Sequence, residues 1–192
     1  ILPNSITTIG GDMMFYGCGS LTNAVLPNGI TTIPDWMFAN TSLNSITIPA
    51  GVTSIGGRAF AYYTDELKSI YFLGDPPSIH PAYPFYQINP EAVFYYMEGA
   101  KGWGSSFGGF PAVLWKPEIQ ADGADFGMHA NGFVFTLPHG PNNFTMVVEA
   151  CTNLATGTWE PVATNTLTYK PTPFTDSDAI NHPTRYYRLT TP

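Results

Sequence analysis

A nine-residue phrase is written three times near the start of the chain, and little can fold around it except a stack of like units. Leu2-Pro3-Asn4-Ser5-Ile6-Thr7-Thr8-Ile9-Gly10 returns as Leu26-Pro27-Asn28-Gly29-Ile30-Thr31-Thr32-Ile33-Pro34, and again as Ile48-Pro49-Ala50-Gly51-Val52-Thr53-Ser54-Ile55-Gly56. An aromatic anchor follows each copy (Phe15, Phe38, Phe60), and then a leucine (Leu21, Leu43, Leu67) that opens the next strand. No such unit can bury its apolar face alone, so self-similarity at this spacing predicts a solenoid whose neighbouring repeats share one core. Pro27 to Pro49 is 22 residues and Pro3 to Pro27 is 24. The difference falls in turns, which absorb insertions while the ladder keeps its register.

The grammar Ile/Leu-Pro-x-x-Val/Ile-Thr-x-Ile-Gly, followed by Ala59-Phe60 or by Phe15-Tyr16-Gly17-Cys18-Gly19-Ser20-Leu21, resembles the leucine-rich repeats of bacterial surface proteins of the BspA type. Cys18 falls where that family often places cysteine, while Met14-Phe15 and Met37-Phe38 replace its Ala-Phe. The resemblance covers residues 1 to about 73. It implies repeats at about 2–25, 26–47 and 48–73, an extracellular or cell-surface location, and work done by contact with other proteins.

Short strands are predicted over 22–26, 44–48 and 68–72. Alternation turns Ala24, Leu26, Ile46, Ile48, Ile70 and Phe72 inward. It leaves Asn23, Val25, Ser45, Thr47, Ser69 and Tyr71 on a shared outer face, the candidate interaction face. The grammar breaks at Leu73-Gly74-Asp75-Pro76-Pro77, and residues 74–115 are rich in Pro, Gly and aromatics. They read as an atypical last repeat closing the core; a sugar-stacking platform is the competing reading of the same rings.

Lys116-Pro117 reads as a hinge. Beyond it, short β-type runs at 133–137, 145–149, 159–162, 166–169 and 185–189 alternate with turn-forming segments. About seven such runs predict an antiparallel β-sandwich over 118–192, fibronectin- or immunoglobulin-like in architecture. Val148-Glu149-Ala150-Cys151-Thr152-Asn153-Leu154, Trp159 and Arg185-Tyr186-Tyr187-Arg188 resemble modules that end secreted bacterial proteins. The fold class is therefore mainly β.

Composition narrows the functional classes. Charged residues are 11% of the chain, net charge is −7, and the seven basic residues are scattered singly, so no basic stripe for nucleic acid exists. No apolar run reaches membrane-spanning length. Cys18 and Cys151 lie in different segments and read as two free, buried thiols, with a disulfide between them as the alternative. Gly104-Ser105-Ser106-Phe107-Gly108 matches the nucleophile-elbow pattern, but its Gly-rich flanks offer neither the strand nor the helix that such an elbow needs. His80, His129, His139 and His182 have no ligand-spaced partners. The pairs Asp122/Asp125 and Asp176/Asp178, the latter near Asn181, offer too few oxygens for calcium and read as turn formers. Sequons stand at Asn40 and Asn143.

These readings predict a non-catalytic structural or adhesive protein with no cofactor and no metal. A glycan-binding module is the alternative, and it requires a coplanar, exposed pair among Trp103, Trp115, Tyr95, Tyr96 and Trp159. Residue 1 matches the close of a strand, so the first repeat is expected to show an apolar edge (Ile1, Leu2, Ile6, Ile9). Head-to-tail association into a filament would cover that edge.

Overall fold

In the computed structural model, which describes residues 3–121 and 123–191, each turn of the repeat lays down two short strands. One set is β1 (Thr32–Ile33), β3 (Ser54–Ile55) and β5 (Ser78–Ile79), paired in parallel with Ile33, Ile55 and Ile79 in register. The other is β2 (Ser45–Ile48), β4 (Ser69–Phe72), β6 (Val93–Tyr96) and β8 (Phe110–Leu114), also parallel, with β7 (Ser106–Phe107) folded back antiparallel on β8. Side chains of one register position therefore stack into rows: Ile46, Ile70, Phe94 and Ala112 form one, and Ile48, Phe72, Tyr96 and Leu114 another.

The anchors make the longest row. Phe15, Phe38, Phe60 and Phe85 stack at centroid distances of 5.4, 5.5 and 5.7 Å with planes within 12° of parallel. Leu43, Leu67, Ile30, Ile55 and Ile70 are buried around them. The corners between strands hold non-glycine residues at positive φ: Met13, Trp36, Arg58 and Tyr83 at one corner, and Asn40, Tyr62 and Gln87 at the next. Left-handed backbone costs a bulky residue about 1–2 kcal/mol, and here it is held by backbone bonds from turn to turn. Met13, Trp36 and Arg58 donate to the carbonyls of Asp35, Gly57 and Ala82 at 3.0, 3.0 and 3.2 Å.

Two expectations shift. Residues 22–26 are not a strand, although Asn44 N donates to Thr22 O at 3.2 Å and Leu26 is buried. β2 and β4, and β4 and β6, pair over four register positions each, whereas this segment joins no ladder among the described residues. The repeat geometry also continues past Gly74, where the sequence pattern breaks. Ser78 and Ile79 take the places of Ser54 and Ile55, and Phe85 takes that of Phe60, so stacking survives the loss of the motif's spelling.

The chain divides into two compact units, Ile1–Lys116 and Pro117–Pro192. The second holds β9 (Gly127–His129), β10 (Gly132–Leu137), β11 (Thr145–Cys151), β12 (Glu160–Thr166), β13 (Thr172–Asp176), a 3-10 turn (Ser177–Asn181) and β14 (Tyr186–Thr190). They form two three-stranded antiparallel sheets, ordered β13-β10-β9 and β12-β11-β14. Aromatics join the sheets: Tyr187 of β14 stacks on Phe133 of β10 at 5.4 Å and meets Phe135 at 5.1 Å. Cys151 is buried, but Cys18 is exposed, contrary to the expectation of two buried thiols, because it lies in a turn whose residues 16–20 all face solvent.

Candidate functional site

The surface of the repeat unit carries a stripe of aromatic side chains that the motif reading missed. Trp36 and Tyr62 stack at 5.6 Å with planes 10° apart. Tyr16 meets Trp36 edge-on at 5.9 Å, Tyr86 meets Tyr62 edge-on at 5.4 Å, and Tyr83 lies 6.4 Å from Tyr86. The Arg58 guanidinium sits 5.0 Å from the Trp36 ring and 6.0 Å from that of Tyr62, a cation–π arrangement within the stripe. A signal was present: Tyr16, Tyr62 and Tyr86 follow the anchors Phe15, Phe60 and Phe85 by one or two residues. The stripe ends at a groove of about 610 Å³ lined by Ile79, His80, Tyr83, Phe85, Tyr86 and Gln87, with Gly108 and Gly109 on its rim.

The face expected on β2 and β4 is less open than alternation implied. Asn23 is exposed and Val25, Thr47 and Ser69 are half-buried, but Ser45 and Tyr71 are buried. Tyr71 stacks on Tyr95 at 5.1 Å and receives the edge of Trp115 at 6.3 Å. Burial pushes its phenol well above the ordinary tyrosine range, and Tyr95 is raised for the same reason. At the first repeat, Ile1 and Leu2 lie outside the described residues, Ile6 is half-buried and Ile9 is buried. The exposed apolar groups there are instead Met13, Met14 and Tyr16, at 52%, 45% and 49% exposure.

The rings required for a sugar platform are occupied by other contacts. Trp103 stacks face to face on Tyr96 at 5.2 Å and donates its Nε1–H to the Gly74 carbonyl at 3.1 Å. Trp115 is buried and Tyr95 packs on Tyr71. Trp159, half-buried, lies 4.5 Å beneath the Arg188 guanidinium, which in turn pairs with Glu149.

The residues singled out for chemistry are dispersed. Ser106 starts β7 and is followed by the Gly108-Gly109 turn rather than a helix, so its flanks are those of a hairpin. His80 Nδ1 accepts from Ala82 N, and His129 Nε2 lies 2.8 Å from the Asp125 carbonyl. His139 is half-buried, and burial lowers its pKa. Asp122 lies outside the described residues.

Asp176 and Asp178 build a cluster with protein partners on their oxygens. Asp178 accepts from Asn181 Nδ2, Arg185 Nη1 and His182 Nε2 at 2.9, 2.6 and 2.9 Å, and those bonds hold its carboxyl well below the usual range. Asp176 is buried, caps the 3-10 turn through Asp178 N, and accepts from the Tyr187 hydroxyl at 2.9 Å. Arg185 Nε is 3.0 Å from Asp176 Oδ2, an ion pair whose angle is too poor for a hydrogen bond. Among the described residues, no group of His, Cys, Asp and Glu is arranged to hold a metal ion. Of the two sequons, Asn143 is exposed and Asn40 half-buried, both at positive φ.

Residues 1–90 match the sequence model of the BspA type leucine rich repeat region, in six copies against the three longer units read from the sequence. No curated protein and no solved structure matches the chain. No helix among the described residues is long and apolar enough to cross a membrane.

Proposed function

We propose, from the place of residues 1–90 in the BspA-type leucine-rich repeat family, that the chain is a non-catalytic structural or adhesive protein of the cell surface or extracellular space. It acts through protein–protein contacts, and copies of itself are among its partners. In this reading residues 1–115 are a short leucine-rich solenoid with an atypical closing segment, 116–117 a hinge, and 118–192 a β-sandwich. The observation that carries it is the Tyr16–Trp36–Tyr62–Tyr86–Tyr83 stripe with Arg58 inside it. Tyrosine, tryptophan and arginine are the side chains that dominate binding energy at protein interfaces, because each brings a large, stiff surface with a polar handle.

The glycan alternative moves from the residues first considered to this stripe, where Tyr83 and Tyr86 expose ring surface beside His80 and Gln87. Sedimentation velocity over a wide concentration range tests the primary reading. Species larger than the monomer should grow in as concentration rises. A strictly monomeric chain at the highest concentration, together with glycan binding that Tyr83→Ala and Tyr86→Ala abolish, would replace it with the alternative.

A further inference from the structure

At the corner that carries the phenylalanine anchors, alternate N–H groups of one turn donate to the turn that follows. Trp36, Phe38 and Asn40 donate to the carbonyls of Gly57, Ala59 and Ala61 at 3.0, 2.7 and 3.1 Å. Arg58, Phe60 and Tyr62 donate in the same way to Ala82, Pro84 and Tyr86 at 3.2, 2.9 and 3.0 Å. The sense is a property of this corner: beside β3 and β5, Thr53, Gly56, Ser78 and His80 donate to the turn before. Tyr83, Phe85 and Gln87 stand where the next three donors belong. Phe85 continues the ring row after Phe60, and Tyr83 and Gln87 repeat the positive φ of Arg58 and Tyr62. None of these three N–H groups has a backbone acceptor among the described residues. Such a row of unpaired donors is a template for another stretch of main chain.

The row lies inside the repeat unit, and the chain runs on from it into β6 and the β7–β8 hairpin. Its three residues line the groove of about 610 Å³, with Gly108 and Gly109 of the hairpin turn on the rim. That turn gives the row no carbonyl, but it closes the ring row: a Cβ on Gly108 would lie 2.8 Å from the Phe85 ring. The turn-to-turn contact inside the chain also shows what each place at this corner receives. The Arg58 guanidinium, one turn on, lies 5.0 Å from the Trp36 ring. Tyr83 holds the place of Trp36 in the donor row, and its ring is 73% exposed. No Lys or Arg lines the groove to repel a cation there. The exposed ring face is therefore complementary to a positive charge.

We infer that the groove beside Tyr83, Phe85 and Gln87 binds a short basic segment of a partner polypeptide, laid along the row as the next turn would be. The segment's first, third and fifth carbonyls accept from the three N–H groups, continuing the hydrogen bonding of the preceding turns. Its second residue is an arginine or lysine lying on the Tyr83 ring, as Arg58 lies on Trp36. Its fourth residue is small, because the Gly108 turn already covers Phe85. Main-chain bonds supply affinity in such a mode, and the places for side chains supply selectivity.

This inference rests on the protein-contact reading proposed above and names one site and one partner chemistry for it. The test uses the full chain, labelled with nitrogen-15, and a capped synthetic peptide of residues 57–62 carrying Phe60→Ala. That peptide has carbonyls at its first, third and fifth places and arginine at its second. On titration the amide signals of Tyr83, Phe85 and Gln87 should move downfield and gain protection from hydrogen exchange. Glutamine in place of the peptide's arginine should weaken binding about 2- to 5-fold, the worth of an exposed cation–π contact. Tyr83→Ala should weaken it by at least as much, with a thermal unfolding curve that matches the wild type's. Amides that stay put at millimolar peptide overturn the inference, and so does equal binding of a scrambled peptide or by Tyr83→Ala. Cellohexaose moving these amides where the peptide does not would give the groove to a neutral glycan instead. The two readings fail separately: a chain that stays monomeric but binds the peptide loses self-association and keeps this site, and one that assembles without binding it loses this site alone.

Discussion

Phe60 shows how much one side chain carries when every repeat places a ring in the same row. It is buried between Phe38 and Phe85, stacked on both at 5.5 and 5.7 Å. Phe60→Ala should cost about 3–5 kcal/mol, because the lost ring leaves a gap its stacked neighbours cannot close. Denaturant unfolding followed by tryptophan fluorescence checks this; a loss near zero would show the row is not close-packed. In the second unit, the Tyr187 phenol is pushed above its ordinary value of about 10, first by burial and then by its bond to the Asp176 carboxylate. A raised folded pKa means that the stability tied to the neutral phenol is fully present below pH about 10 and is lost as pH climbs above it. Tyr187→Phe should therefore flatten the alkaline limb of the stability profile. A limb as steep as the wild type's would assign it to other groups.

At the scale of elements, the end of the parallel sheet is held by a hairpin of little regular structure. β7 and β8 meet through the Gly108-Gly109 turn, where both glycines are at positive φ. Phe107 and Phe110 of that hairpin pack on Phe94, at 6.4 and 5.1 Å, and Trp103 bridges Phe72 and Tyr96 at 4.9 and 5.2 Å. Trp103→Ala removes this bridge and the bond to the Gly74 carbonyl. Since the ring is only half-buried, the cost should sit near the low end of the aromatic range, about 3 kcal/mol. Hydrogen exchange should localise the loss to β6 and β8, and unchanged exchange there would place Trp103 outside the packing. Ser106, in the same hairpin, has no helix behind it and should not react with a fluorophosphonate. Stoichiometric labelling abolished by Ser106→Ala would be the contrary result.

For the whole molecule the governing quantity is charge. At net −7, two copies repel before any short-range contact forms. Added salt shortens the screening length to about 8 Å at physiological ionic strength, which weakens the repulsion and leaves the hydrogen bonds and burial largely intact. Association should thus strengthen as salt rises toward that range, in light scattering at fixed protein concentration. Weakening with salt would point to ion pairs at the junction.

The sequence alone determined the repeat, its inward positions and the likeness of residues 1–90 to the BspA-type repeat, because a stacked array writes each core position several times over. Phe15, Phe38 and Phe60, or Ile30, Ile33, Val52 and Ile55, are legible from spacing alone. Where the spelling changes, at Gly74, the physical constraint persists: Phe85 keeps the ring row although its motif has gone. Only the tertiary structure could show that. It also decided the fate of positions that alternation assigned to an outer face. Alternation says which side of a strand a side chain leaves by, and nothing about what covers that side; Tyr71 lies under Tyr95 and the edge of Trp115. The surface stripe depends in the same way on corners at positive φ, which turn Trp36 and Tyr62 onto one line although their offsets from the anchors differ.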